Sequence, residues 1–128
     1  MRCSPAALLI AVPLAAACGG GSSTTTPTSS SPPATETRAV VSIAAGGIVL
    51  GGILLRPATA GPHPAIVVLH GWQPAGTDGA ALVEGRARRF ANDGYVALAL
   101  SLRGWPRSGG SDDCGLQQPD DVAAAVAW

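Results

Sequence analysis

The segment Ala65-Ile66-Val67-Val68-Leu69-His70-Gly71-Trp72 decides how the rest of the chain is interpreted, because five apolar residues run directly into His-Gly. Pro64 precedes the apolar run and Pro74 follows shortly after it. A continuous apolar run of this length between two breakers is typical of a strand buried on both faces in the middle of a parallel sheet. We therefore predict a central strand over residues 65–69 and an abrupt turn at Gly71.

A helix and a second buried strand follow this segment. Asp78 is a suitable N-cap and Gly94 a suitable stop signal for the helix. Between them, apolar residues recur at helical spacing, namely Val83, Ala87, Phe90 and Ala91. Residues 95–100 form the second apolar run. The order strand, helix, strand predicts a βαβ unit whose two strands are parallel neighbours in one sheet.

Residues 39–55 admit two interpretations. They contain no charged residue and carry Gly47-x-x-x-Gly51, a spacing found in packed membrane helices, so a small membrane protein with a span here is one alternative. The other is a β-hairpin with strands over residues 39–44 and 48–55, joined at Gly46-Gly47. The hairpin accounts better for the clustered glycines and the β-branched residues on either side of them. We therefore predict the hairpin.

The last part of the chain combines an arginine loop with an acid-capped helix. Arg103 follows the second strand within Ser101-Leu102-Arg103-Gly104, and we expect its guanidinium to bind several backbone carbonyls at once. Pro119-Asp120-Asp121 opens a helix, because proline suits a first turn and acids suit the positive end of the helix dipole. We predict that its apolar stripe consists of Val122, Ala123, Val126 and Ala127.

The order of these features resembles the N-terminal portion of the α/β-hydrolases, most closely the dienelactone-hydrolase and prolyl-oligopeptidase (S9-like) branches. The resemblance covers residues 39–128. It implies an α/β fold that is partial and α/β-hydrolase-like, with an N-terminal β-hairpin and then parallel strands with crossover helices, truncated before the nucleophile elbow. In such enzymes a backbone N–H just after His-Gly helps to hold the oxyanion of a tetrahedral intermediate.

The same resemblance implies roles for individual residues. The oxyanion-hole donor would be the backbone N–H of Trp72, next to Gly71. His70 and Arg103 would be structural residues at the site, and His70 is expected to hydrogen-bond the loop backbone. The chain departs from the family at Ser101, where relatives carry an aspartate, so the role of that carboxylate has no counterpart here.

None of the catalytic triad is present in this sequence. A serine hydrolase requires a G-x-S-x-G elbow, followed later in the chain by an acid and a histidine. The nearest approach, Gly109-Gly110-Ser111-Asp112-Asp113, lacks the last glycine and a preceding strand, so we interpret Ser111 as a loop serine. Neither His63 nor His70 matches the catalytic histidine, and Cys114 as a nucleophile lacks an elbow and a base. The resemblance implies a parent enzyme that cleaves small-molecule esters, lactones or peptides, whereas the 128-residue chain is expected to be inactive.

The N-terminal segment predicts export. Residues 1–18 resemble a signal peptide and end in Ala15-Ala16-Ala17-Cys18, which resembles a lipobox with lipidation at Cys18. Ordinary cleavage after an A-x-A site is the alternative. Residues 19–37 are mainly Gly, Ser, Thr and Pro and are expected to form a disordered linker, which leaves residues 38–128 as the hydrolase part. The product would be lipid-anchored in the cell envelope, or otherwise periplasmic or secreted.

Charge and cysteine content exclude several functional classes. Eight arginines balance eight acids and there is no lysine, so the sequence has no basic stripe for nucleic acid. No metal-ligand cluster can be built around the cysteines, and no cofactor is expected. Cys114 is the only cysteine outside the export segment, which suggests a partner elsewhere. The alternative function is a non-catalytic surface lipoprotein whose shortened hydrolase-like domain binds a ligand or partner.

Overall fold

The computed structural model describes residues 36–128. The predicted signal peptide, the lipidation site Cys18 and nearly all of the predicted linker therefore lie outside the described residues. Residues 36–128 form a small α/β fold with four strands and two helices. Their bounds are β1 Thr37–Ala45, β2 Ile48–Arg56, β3 Ala65–Leu69, α1 Gly79–Asn92, β4 Val96–Leu100 and α2 Gln118–Ala127.

β1 and β2 form the predicted hairpin and pair antiparallel along their whole length. Gly46 and Gly47, which connect them, have φ angles of 52° and 84°. A two-residue turn with two positive φ angles matches the twist of the strands, and glycine adopts it without strain. Residues 39–55 are therefore strands, and the membrane-spanning alternative for them is wrong. No helix within the described part of the chain is long and apolar enough to cross a membrane.

β3, α1 and β4 form the predicted βαβ unit, with β3 and β4 parallel. α1 begins where the sequence predicts, because the Asp78 carboxylate accepts a hydrogen bond from the Ala81 N–H at 3.0 Å. Gly94 follows the helix with a φ of 94°, a conformation that favours glycine. The buried apolar side chains of α1 are Ala80, Val83, Ala87 and Ala91.

β4 lies inside the sheet, whose order is β1-β2-β4-β3, and it separates two apolar layers. Ala97 and Ala99 belong to the layer under α1, and their small side chains allow the helix to approach closely. Leu98 and Leu100 belong to the opposite layer, together with Ala125 of α2. This alternation is the normal consequence of the two-residue period of a strand. Because both faces of β4 are packed, its carboxyl end is firmly positioned.

β3 lies at an edge of the described sheet and not in its middle. The Val96 N–H donates to the Pro64 carbonyl at 2.9 Å, so the Pro64 carbonyl faces β4. In a parallel ladder the intervening residues, Ala65, Val67 and Leu69, then direct their N–H and C=O groups away from β4. Within residues 36–128 no strand pairs with that side, and Leu69 is 38% exposed. The expected burial on both faces is therefore not observed, although the sequence remains that of a central strand.

The buried face of α2 also differs from the predicted stripe. Of the four residues assigned to the stripe, Val122 is half-buried and the others are exposed, with Val126 at 71%. Asp121 and Ala125 are buried instead. The reason is that Asp121 turns inward to bind Arg103, which rotates the helix by one position relative to the apolar pattern.

Asp78 provides a test of how α1 is fixed. Its carboxylate caps the helix and also accepts a hydrogen bond from Arg107 Nε at 2.6 Å. Asp78→Ala removes both contacts, and we expect it to lower the free energy of unfolding by about 1 kcal/mol, mainly through the lost cap. Urea unfolding followed by circular dichroism at neutral pH measures this change.

The charge of Asp78 predicts a pH dependence. Partial burial raises the pKa of Asp78, but the hydrogen bonds from Ala81 and Arg107 outweigh it, so the pKa lies below its usual value. A depressed carboxyl pKa adds stability above the unfolded pKa, and this stability is lost as the pH falls through the folded pKa. Asp78→Asn should therefore be less stable than wild type at pH ~7 and equal to it at pH ~2. An equal difference at both pH values would contradict this account.

Candidate active site

Two loops meet at one edge of the sheet. The β3–α1 loop, residues 70–78, follows β3, and the β4–α2 loop, residues 101–117, follows β4. Because β3 and β4 are parallel neighbours, their carboxyl ends lie at the same edge, which is where open α/β sheets bind ligands. The residues singled out from the sequence, His70, Gly71, Trp72 and Arg103, all lie in these two loops.

The His70 side chain connects the two loops. It is 5% exposed, and its Nε2 accepts a hydrogen bond from the Leu102 N–H at 3.1 Å. Because Nε2 is the acceptor, the ring hydrogen lies on Nδ1, which donates to the Gly71 carbonyl at 2.8 Å. The ring also makes a T-shaped contact with the Trp105 indole, with 5.1 Å between the ring centroids. His70 is thus held on three sides by the two loops.

The peptide that joins Gly71 to Trp72 directs its N–H away from the His70 ring. The C=O and N–H of a trans peptide point in opposite directions, and here the Gly71 carbonyl points at Nδ1 of His70. The Trp105 indole N–H donates to the Gln73 carbonyl, two residues further along the loop, at 3.2 Å. Among residues 36–128 nothing accepts a hydrogen bond from the Trp72 N–H. An oriented N–H without an acceptor is what an oxyanion donor requires.

Two serines close the β4–α2 loop. Ser101 is fully buried, and its hydroxyl donates to the Pro106 carbonyl at 2.6 Å. The Ser108 hydroxyl donates to the Ser101 carbonyl at 2.6 Å and accepts from the Gly51 N–H at 2.9 Å. The serine found in place of the family's aspartate therefore has a structural role. The role of Ser108 was missed because Gly51 is 57 residues away and no local pattern connects the two.

Arg103 binds acidic side chains and not the backbone carbonyls predicted for it. Its guanidinium makes two hydrogen bonds to Asp121, at 2.7 and 2.5 Å, and also contacts the side-chain oxygen of Gln117. Arg103 is 7% exposed and Asp121 is fully buried. The hydrogen bonds to Asp121 raise the pKa of Arg103 above its usual value, against the effect of burial, and the negative charges of Asp121 and Asp113 reinforce them. The pair joins α2 to the loop, so the guanidinium has a structural role.

The remaining candidates are not brought together. Ser111 and Cys114 lie on exposed parts of the β4–α2 loop, and Cys114 is disulfide-bonded, so it does not offer the thiol that a nucleophile needs. His63 lies in the loop before β3, where its Nε2 is 2.8 Å from the Thr59 carbonyl. In the described part of the chain no serine hydroxyl is hydrogen-bonded to a histidine. These residues therefore provide no nucleophile with its base.

The sequence profile of the X-Pro dipeptidyl-peptidase (S15) family matches residues 46–128, more than half of the chain. The chain belongs to this family. The S15 match extends from the hairpin turn through α2, so it includes both loops of the site. It supports a hydrolase-type α/β fold but not a particular branch such as the dienelactone hydrolases or prolyl oligopeptidases. No curated protein matches the chain.

Gly79 tests the packing around His70 in this S15-family chain. A Cβ added at Gly79 would lie 2.2 Å from Cδ2 and Nε2 of the His70 ring. Gly79→Ala must displace the ring from the Leu102 N–H, and we expect it to lower the free energy of unfolding by about 1–3 kcal/mol. Urea denaturation of the variant measures the loss.

Gly85 provides the matched control because it lies in the same helix and an added Cβ would meet nothing within 4 Å beyond its chain neighbours and the helix's own backbone. Gly85→Ala should raise the free energy of unfolding by about 0.5–1 kcal/mol, since alanine favours the helix. If both alanine variants changed stability in the same direction and by a similar amount, the close contact with His70 would not be important.

Proposed function

We propose that residues 38–128 are the N-terminal part of an exported peptidase-type hydrolase domain, in which the Trp72 N–H is one donor of the oxyanion hole. The observation that carries this proposal is the oriented Trp72 N–H, which has no acceptor within residues 36–128 and lies at the carboxyl end of a parallel strand. Trp72 lies inside the S15 match, and this supports peptide-bond hydrolysis as the reaction that its N–H would serve. Because residues 36–128 hold no serine hydroxyl bonded to a histidine, we expect the 128-residue chain to be inactive by itself.

The proposed reaction is hydrolysis of a peptide bond through an acyl-enzyme. A nucleophile attacks the scissile carbonyl, whose oxygen becomes negatively charged in the tetrahedral intermediate. A backbone N–H that is oriented beforehand stabilises this charge more than it stabilises the neutral carbonyl of the substrate. We favour peptides over the esters and lactones of the dienelactone-hydrolase branch because the family match is to a peptidase.

The nucleophile, acid and histidine would come from a segment outside residues 36–128 that extends the sheet at β3. The outward N–H and C=O groups of Ala65, Val67 and Leu69 offer a ladder for another strand. Open grooves flank this edge on both faces of the sheet. One is lined by α1 residues, including Leu82 and Arg86, and the other by Val122 and Val126 of α2 and by Trp128 just after it. These surfaces are suited to further strands and helices.

Export and anchoring are part of the proposal. The signal-like residues 1–18 and the lipobox-like sequence before Cys18 would place the domain in the cell envelope, on a linker over residues 19–37. A secreted or periplasmic product after ordinary cleavage is the variant of this proposal without a lipid anchor.

The second candidate is a surface lipoprotein that binds a ligand or partner without catalysis. The observation in its favour is that the β4–α2 loop is closed by its own contacts, Ser101 with Ser108 and Arg103 with Asp121, and needs no triad to hold it. It predicts that a product of the gene that extends beyond these 128 residues does not hydrolyse X-Pro substrates.

The role of the Trp72 N–H can be tested in the hydrolase domain that includes the triad. Trp72→Pro removes the N–H, and we expect kcat for an X-Pro anilide to fall by roughly 10²–10³-fold. Trp72→Ala is the matched control, because it removes the exposed indole but keeps the N–H, and its kcat should fall less than about tenfold. A Trp72→Pro variant that folds, as judged by circular dichroism, and keeps the control's kcat would contradict the proposal.

A further inference from the structure

We propose that His70 is the positioning residue of the oxyanion peptide: its Nδ1–H holds the Gly71 carbonyl and thereby sets the direction of the Trp72 N–H. This inference rests on the proposed function for its catalytic meaning. The orientation itself is a property of the chain that can be measured without activity.

The Gly71–Trp72 peptide has little else to hold it. Gly71 lacks a Cβ, and apart from its two chain neighbours no residue has an atom within 4 Å of the position that a Cβ would occupy. The Trp72 side chain is 65% exposed and so does not anchor the peptide. Within the described residues, the only hydrogen bond made by this peptide is the one from Nδ1 of His70 to the Gly71 carbonyl. A glycine peptide rotates readily, and without that bond the N–H would have no fixed direction.

The imidazole is itself fixed by groups from three other places in the chain. The Leu102 N–H, just after β4, donates to Nε2 and leaves the hydrogen on Nδ1. The Trp105 indole packs against the imidazole in a T-shaped contact. The start of α1 closes another side, since the space above Gly79 is filled by the ring. The Nδ1–H tautomer and the ring orientation are therefore set by the fold before any substrate arrives.

Two substitutions separate the two hydrogen bonds of His70. The oxygen of a glutamine amide can reach the position of Nε2, so His70→Gln can keep the Leu102 bond while it loses the donor to Gly71. The nitrogen of an asparagine amide lies near the position of Nδ1, so His70→Asn can keep the Gly71 bond while it loses the acceptor for Leu102. His63→Gln is the control, because His63 lies in another loop and contacts only the Thr59 carbonyl.

The experiment measures the backbone of the isotopically labelled full chain by NMR in a weakly aligned sample. In wild type, the ring nitrogen shifts of His70 should report hydrogen on Nδ1. In His70→Gln, the N–H dipolar coupling of Trp72 should shift clearly away from its wild-type value, because the peptide reorients, while couplings in β4 stay unchanged. In His70→Asn and His63→Gln the Trp72 coupling should remain close to wild type.

The proposal is overturned if His70→Gln keeps the wild-type coupling at Trp72, or if the ring hydrogen of wild type lies on Nε2. The tautomer measurement needs no variant, so the proposal stays testable even where a substitution prevents folding. In the hydrolase domain that includes the triad, His70→Gln should lower kcat about 10–100-fold with little change in KM, and His70→Asn should restore most of it. If the Trp72 couplings behave as expected but the hydrolase domain does not cleave X-Pro substrates, the proposed function is wrong and the positioning role of His70 stands.

Discussion

The imidazole of His70 occupies the point where the carboxyl ends of β3 and β4 meet, and both of its nitrogens are hydrogen-bonded to backbone. The bond to the Leu102 N–H joins the two strands beyond the last pair of the ladder, and the bond to Gly71 fixes the first turn of the β3–α1 loop. α1 begins with Gly79 because the His70 ring occupies the space that a larger side chain would need there. The path of the β3–α1 loop, the start of α1 and the direction of the Trp72 N–H therefore all depend on one buried ring.

A second set of buried polar contacts holds the other loop. Arg103 and Asp121 join the β4–α2 loop to α2, and Ser108 joins it to β2 through Gly51. A buried ion pair contributes little net stability over an apolar substitute, because desolvation offsets most of its attraction, but it is costly to break one side of it. The pair's effect here is to select one rotation of α2, with Asp121 inward and Val126 outward.

Features encoded within short stretches could be predicted from the sequence. The Gly46-Gly47 turn, the Asp78 cap and the Gly94 stop each depend on neighbours a few residues away, and all three are observed. The buried face of α2 was predicted wrongly because it depends on Arg103, whose partner choice is a tertiary contact. Ser108 was missed for the same reason. β3 has the composition of a central strand, but its position is decided by which strands pair with it, and within residues 36–128 only β4 does.

The family assignment and the geometry support one another at the β3–α1 loop. The S15 match spans both loops, and the structure shows an oriented backbone donor in the first of them. The central claim is that this donor belongs to a larger catalytic domain. The most direct test is the intact mass of the mature product, isolated from the membrane fraction of its native cell. We predict a mass well above that of residues 18–128 with attached lipids, whereas a mass equal to that of the short lipidated chain would contradict the claim.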